Sequence, residues 1–261
     1  MKHLLQGLLI TLALLSAAWA KDNLPDQVQT RLNKLDRAIA KTPNNSGHYV
    51  ERGDIYYLLN DFHRAVTDYS AALALDDKQD NAYFGRGMTY GRMGLIDEGI
   101  ADLSIYIQRH PDSSVAYTKR GVRNIWRGNL QNAEQDLKRA VELDPDNAEA
   151  HDDLGVVHAQ HKQLPLAATH FATAIRLDPS YQKAYHNLAM CYFMTGHSQH
   201  ALEVINAGLE LNDTNKNSLL LKSTILQALG REPEAQEIAD RAEFLPESNW
   251  SERSPIRGLE Q

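Results

Sequence analysis

Small and apolar positions recur along this chain with a period of 34 residues, from about Ser46 to the region of Glu247, without insertion or deletion. One column holds Gly53, Gly87, Gly121 and Gly155, continued by Ala189 and Ser223. A second holds Ala65, Gly99, Ala133, Ala167, Ala201 and Ala235, and a third Ala72, Tyr106, Ala140, Ala174, Gly208 and Ala242. Inside each period the apolar residues fall three and four apart, the spacing of a helix face. In the third period Ala116, Tyr117, Arg120, Gly121 and Asn124 share one face of a first helix. Gly128 then ends that helix, because glycine takes a left-handed conformation at little cost. A second helix carries Ala133, Leu137, Ala140, Val141 and Leu143, and Asp144-Pro145-Asp146 closes it. Gly94, Gly196 and Gly230 repeat the first turn, with Asn60 and Lys162 in the same place. Pro165 and Pro233 fall where second helices begin, where a missing N–H is harmless.

The pattern predicts helical hairpins over residues 46–79, 80–113, 114–147, 148–181, 182–215 and 216–247. The last is degenerate and reads as a cap. Leu35, Ala38 and Pro43 keep the register backwards, so Gln27 to Lys41 reads as a lone helix covering the open end within residues 21–45. Residues 248–261 show no periodicity and read as a tail. Repeats of this kind stack into quasi-one-dimensional arrays instead of one globular core.

The residues in these columns resemble the tetratricopeptide repeat family. The second hairpin offers Tyr83, Arg86-Gly87, Tyr90, Gly99, Leu103, Tyr106 and Pro111 at the family's motif positions. The fourth offers His151, Leu154-Gly155, His158, Ala167, Phe171, Ala174 and Pro179. The resemblance implies an all-α fold, a right-handed α-solenoid of stacked helix-turn-helix units. It also implies a protein that binds other proteins.

One correlation predicts packing. The first three hairpins pair an arginine on the first helix with an aspartate on the second: Arg52 with Asp68, Arg86 with Asp102, Arg120 with Asp136. The next two carry Leu154 and Leu188 opposite His170 and Val204. Salt bridges inside the early hairpins and apolar contacts inside the later ones are expected.

Composition narrows the function. The chain has 261 residues, 43% of them hydrophobic and 23% charged, ordinary for a folded protein. Its net charge is −7, without a basic stripe, which argues against nucleic acid as a partner. Residues 1–20 read as a cleaved secretory leader: Lys2 and His3, an apolar run from Leu4 to Ala17, then Ala18-Trp19-Ala20. That run falls short of the about 20 apolar residues a spanning helix needs, so no membrane span is expected after cleavage. Export follows as the expectation, to the periplasm first and to the extracellular space as the alternative. Cys191 is the one cysteine and makes no intramolecular disulfide.

Neither a nucleophile elbow, a phosphate-cradling loop nor a metalloprotease helix occurs, so no enzyme and no cofactor are expected. Seven of the eleven histidines lie between His151 and His200. The pairs His158/His161 and His197/His200 have spacings that place two imidazoles on one helix face. A metal-binding function built on His151 to His200, with His161, His197 and His200 converging, is the alternative reading. His151 and His158 also stand in columns filled elsewhere by tyrosines, which makes them hairpin fillers.

In the resembled family the first helices line a concave groove. Carried onto this chain, that implies a partner-binding face containing Tyr57, Phe84, Met88, Arg92, Ile125, Trp126, Asp152, Lys183, His186, Met190, Phe193 and Met194. Aromatic and methionine side chains suit such a face, the first as large anchors with few rotors, the second as adaptable surface. The lysines and asparagines with which some members clamp a carboxylate are absent: Val50, Asp54, Thr118 and Val122 stand there. An apolar or amphipathic segment of a partner protein is the expected ligand. The expected role is a scaffold or assembly factor of the cell envelope, and an open end could also let copies stack into a homo-oligomer.

Overall fold

A computed structural model describes residues 26–246 of the protein. The leader expected at 1–20 and the tail from 248 onwards lie outside the described residues.

Thirteen helices and no strand occur among the described residues. They are α1 (Asp26–Lys41), α2 (Ser46–Leu58), α3 (Phe62–Leu75), α4 (Asp80–Met93), α5 (Ile96–Arg109), α6 (Ser114–Arg127), α7 (Leu130–Leu143), α8 (Ala148–Gln160), α9 (Leu164–Leu177), α10 (Gln182–Met194), α11 (Ser198–Leu211), α12 (Lys216–Ala228) and α13 (Glu232–Glu243). From α2 onwards they pair as six antiparallel hairpins, with α1 packed on α2. The fold is all-α, as the period predicts.

The turns obey the sequence punctuation. Gly94, Gly128, Gly196 and Gly230 have φ between 72° and 85°. Asn60 and Lys162 adopt the same left-handed geometry, at φ 58° and 60°. The lysine therefore changes the residue type without changing the turn. Pro165 and Pro233 sit in the first turn of α9 and α13.

First helices start on a column of their own. Asn45, Ser113, Asn147 and Asn215 each accept a hydrogen bond from a backbone N–H of the helix that follows, satisfying a donor the helix leaves open. The same column ties successive hairpins together. Gln79 donates from Nε2 to Ser46 Oγ at 3.0 Å, and Asn147 donates from Nδ2 to Ser114 Oγ at 2.9 Å.

The chain forms two compact units that part between Pro111 and Asp112. The 34-residue register runs straight through this division. Just before it stands Tyr106, the one bulky residue in a column of Ala and Gly. Tyr106 instead stacks between Phe84 and His110, with ring centres 5.0 and 4.5 Å away.

The first unit contains α1 to α5. Its core gathers Val28, Leu32 and Leu35 of α1 with Val50, Ile55 and Tyr56 of α2 and Ala65, Tyr69 and Ala72 of α3. The lone helix α1 thus covers the apolar face of the first hairpin. The second unit contains α6 to α13 and has two apolar clusters. One centres on Leu137, Leu154, Phe171 and Leu188, the other on Ile205, Leu219, Ile225 and Leu226.

Within each unit, successive first helices touch: α2 with α4, then α6 with α8, α8 with α10, and α10 with α12. Successive second helices make no comparable contact. The first helices are therefore the inner layer of each stack, and the second helices splay on the outer side.

The expected ion pairs are present and bidentate. Arg52 holds Asp68 through two bonds of 2.7 Å, Arg86 holds Asp102 at 2.7 and 2.9 Å, and Arg120 holds Asp136 at 2.9 and 2.6 Å. Each guanidinium also lies over tyrosine rings of its own first helix, Arg52 by Tyr49 and Tyr56, Arg86 by Tyr83 and Tyr90, and Arg120 by Tyr117. In the later hairpins Leu154 and Leu188 are buried in one apolar cluster, with Val204 packed against it.

Candidate partner-binding face

The inner layer of the second unit is built by α6, α8, α10 and α12, and its chemistry is more polar than the sequence reading implies. Asp152 and Asp153 of α8 are both buried and share the ammonium of Lys183 on α10, at 2.9 and 3.0 Å. Asn187 donates from Nδ2 to Asp152 Oδ1 at 2.9 Å. One turn back, Lys119 of α6 bonds the Glu149 carboxylate of α8, with Nζ 2.6 Å from Oε2. Burial pushes the Asp153 carboxyl well above the usual carboxylate range, against the pull of Lys183. Burial also opposes the Lys183 charge, but the two aspartates together hold that ammonium well above its ordinary value. These ion pairs cross from one first helix to the next and fix their register, while desolvation offsets much of their Coulombic gain.

The candidate residues divide by exposure. In the first unit Tyr57 is half-buried and tilted against Phe62, 6.0 Å between ring centres. Phe84 packs on Tyr106 of its own hairpin. Met88 is half-buried. Arg92 lies over the Phe62 ring at 5.2 Å and donates to Asn60 Oδ1 at 3.2 Å. In the second unit Ile125, Asp152 and Met190 are buried, the first and last as core residues. They are walls of the stack and not exposed contacts, because the apolar period places them between helices. Trp126 is half-buried, with the Arg123 guanidinium 4.6 Å above its ring. His186 lies 3.4 Å from Ser218 Oγ of α12, and burial lowers its imidazole to about 4. Phe193 is half-buried and Met194 is 50% exposed.

Sequence reasoning missed Lys119, Asp153 and Asn187. All three occupy the sixth place of their hairpins, one residue after a place assigned to the face. A polar residue there in three successive hairpins is the signal that could have found them. Leu220, 43% exposed on α12, was also missed, since that hairpin is degenerate.

The histidines do not converge as the alternative reading expects. His197 and His200 lie near Tyr192, with ring centres 6.4 and 6.0 Å from it, and His161 stands 4.0 Å from Glu134. Besides the His197–His200 pair, whose ring centres lie 6.3 Å apart, the imidazoles that meet are His151, His158 and His170, inside the α8–α9 hairpin. His151 Nδ1 faces His170 Nδ1 at 3.3 Å, and His158 stacks on His170 at 5.2 Å. No group of three or more His, Cys, Asp or Glu side chains among the described residues is arranged to hold a metal ion. Cys191 is buried, and burial pushes its thiol up to about 12, so it stands as an inert core residue.

Known proteins place this architecture. Family models match in four stretches: a TPR repeat at residues 53–94, and tetratricopeptide repeats at 81–113, 127–182 and 170–203. No curated protein sequence matches the chain. A tetratricopeptide repeat protein from Parabacteroides merdae has a similar structure, with a TM-score of 0.70 and 21% identity over 86% of this chain and 88% of that one. PilW, a widely conserved type IV pilus biogenesis factor, gives a TM-score of 0.68 and 21% identity over 74% of this chain and 90% of its own. YrrB, a TPR protein with an unusual peptide-binding site, gives 0.55 and 23% over 71% and 95%. With hairpins in the right register, turns of the right geometry and family matches in both units, this chain belongs to the tetratricopeptide repeat family.

Proposed function

We propose that the protein is a non-enzymatic scaffold or assembly factor of the cell envelope, which holds an apolar or amphipathic segment of a partner protein on its first-helix face. The observation that carries this reading is the inner layer of the second unit. Met194 and Leu220 are large apolar side chains exposed on neighbouring first helices, with half-buried Phe193 next to Met194, and Lys183 and His186 stand on the same first helix as Met194. Exposed apolar groups in a polar frame suit an amphipathic segment laid along a groove. In the first unit Tyr57, Met88 and Arg92 offer a smaller surface of the same character. The envelope setting is supported by the leader-like residues 1–20, and by similarity to structures that include a pilus biogenesis factor. No described helix is long and apolar enough to cross a membrane.

A photo-crosslinking amino acid tests the face. Placed at Met194 it should capture a discrete partner in cells. Placed at Leu166, equally apolar and 44% exposed but on second helix α9, it should not. Equal capture at both positions, or capture at Leu166 alone, would remove the first-helix face from the proposal.

A further inference from the structure

Where the first-helix face of the first unit meets the turn between α2 and α3, four side chains touch in series. Asn60 stands in that turn at φ 58°, and its Oδ1 accepts from Nη2 of Arg92 on α4 at 3.2 Å. The Arg92 guanidinium lies over the Phe62 ring, 5.2 Å from its centre. Phe62 in turn is tilted against Tyr57 of α2, with 6.0 Å between ring centres. The left-handed turn sets Asn60, and Phe62 is the first residue of α3. The arginine is therefore held by two groups that the first hairpin itself positions.

The charge at this place is open to a partner. The other hairpin arginines of the unit, Arg52, Arg64, Arg86 and Arg109, each hold an aspartate. Among the described residues no carboxylate pairs with Arg92. Asp54, an acid of the same face, uses Oδ1 to accept from the Tyr69 hydroxyl at 2.7 Å. A guanidinium stays charged at every ordinary pH and presents its N–H groups in pairs shaped for a carboxylate. The single bond from Nη2 to Asn60 engages one such pair and leaves another. Tyr57, Phe62 and Arg92 are all half-buried, so an acid bound here sheds part of its hydration beside aromatic surface.

We propose that this site takes an aspartate or glutamate side chain of the partner segment on Arg92, with an adjacent aromatic or large aliphatic side chain of that segment on the Tyr57 and Phe62 rings. The inference rests on the first-helix reading above and sharpens it, because it makes the segment acidic where it meets the first unit.

A random peptide library displayed on phage without a free C-terminus, selected on the purified protein, tests this. Enriched peptides should carry Asp or Glu beside an aromatic or large aliphatic residue. Selection on Arg92→Glu should replace that acid with Lys or Arg. In fluorescence anisotropy, changing the acid of an enriched peptide to its amide should weaken binding to the parent about tenfold, as a charge-assisted bond is lost. The same change should leave binding to Arg92→Gln unaltered, a coupling that a merely structural role for Arg92 does not produce. An unchanged circular dichroism spectrum shows that each variant folds. The proposal is overturned if the enriched peptides share no acid, or if acid and amide peptides bind the parent equally. Binding that Met194→Glu abolishes but Arg92→Gln leaves untouched would overturn this site and keep the first-helix reading. If no peptide is enriched, or neither substitution moves binding, both fall.

Discussion

At the scale of single residues, two kinds of hairpin interior occupy one set of positions. In the first three hairpins a buried aspartate takes both bonds from an arginine, which lies between two tyrosine rings in the first two hairpins and against Tyr117 alone in the third. Removing Asp102 leaves the partly buried Arg86 guanidinium with Ser70 Oγ in place of a carboxylate partner. Asp102→Ala should therefore destabilise the protein by about 2 kcal/mol, since one partner of a largely buried pair remains unmatched. Thermal unfolding checks this, and a melting temperature equal to the parent's would contradict it. In the fourth hairpin the same positions hold His151, Leu154, His158 and His170. Burial, and then the neighbouring His158, His151 and Lys138, depress the His170 imidazole to about 4. The folded state thus prefers neutral His170, so its contribution is complete above the ordinary histidine value of about 6.5 and is lost as pH falls towards 4. His170→Val, which copies Val204 of the next hairpin, should flatten the pH dependence of stability in that window. An unchanged slope in chemical denaturation at pH 4 to 6.5 would assign the dependence elsewhere. The ion pairs could be read from the sequence because both partners repeat together. The imidazole stack could not, because His170 was read only as the residue opposite Leu154, and its ring partners depend on how the two helices approach.

At the scale of elements, the repeating glycines do different jobs at different places. Gly128 has positive φ and open space around it, so it is there for the turn. Gly155 is in mid-helix, and a Cβ added there would come within 2.7 Å of the Phe171 ring on the facing helix. Helix propensity alone makes Gly→Ala favourable in a helix interior, but overpacking of a tight contact costs about 1–3 kcal/mol. Gly155→Ala should therefore destabilise. Phe171→Leu in the same chain should recover part of the loss, a coupling that a double-mutant cycle measures. If the two effects simply added, close packing would not be the reason for this column. The column itself is legible in the sequence, and so are the hairpins, turns and terminal cap α1. The ion pairs linking α6 to α8 and α8 to α10 were not, because they join residues about thirty positions apart whose reach depends on the stacking geometry.

At the scale of the whole molecule, the period is continuous but compactness is not. The division between Pro111 and Asp112 separates the hairpins into two units with their own apolar clusters. Arrays of repeats unfold together only where neighbouring hairpins couple strongly. Scanning calorimetry should accordingly resolve two transitions. Asp102→Ala should lower one of them and Gly155→Ala the other. A single transition moved by both substitutions would show that the chain unfolds as one cooperative body.

The sequence by itself determined the helices, their pairing, the turn geometry, the salt bridges within hairpins and the family, because each depends on residues near one another or on a repeated local motif. Only the tertiary structure decided which face residues are exposed and which are walls. Ile125, Asp152 and Met190 are buried while Met194 and Leu220 are not, and the imidazoles meet at His170 and not at His161. Exposure and convergence depend on how one hairpin leans on the next, and a lean of a few degrees is set by packing across the stack, which no local pattern records.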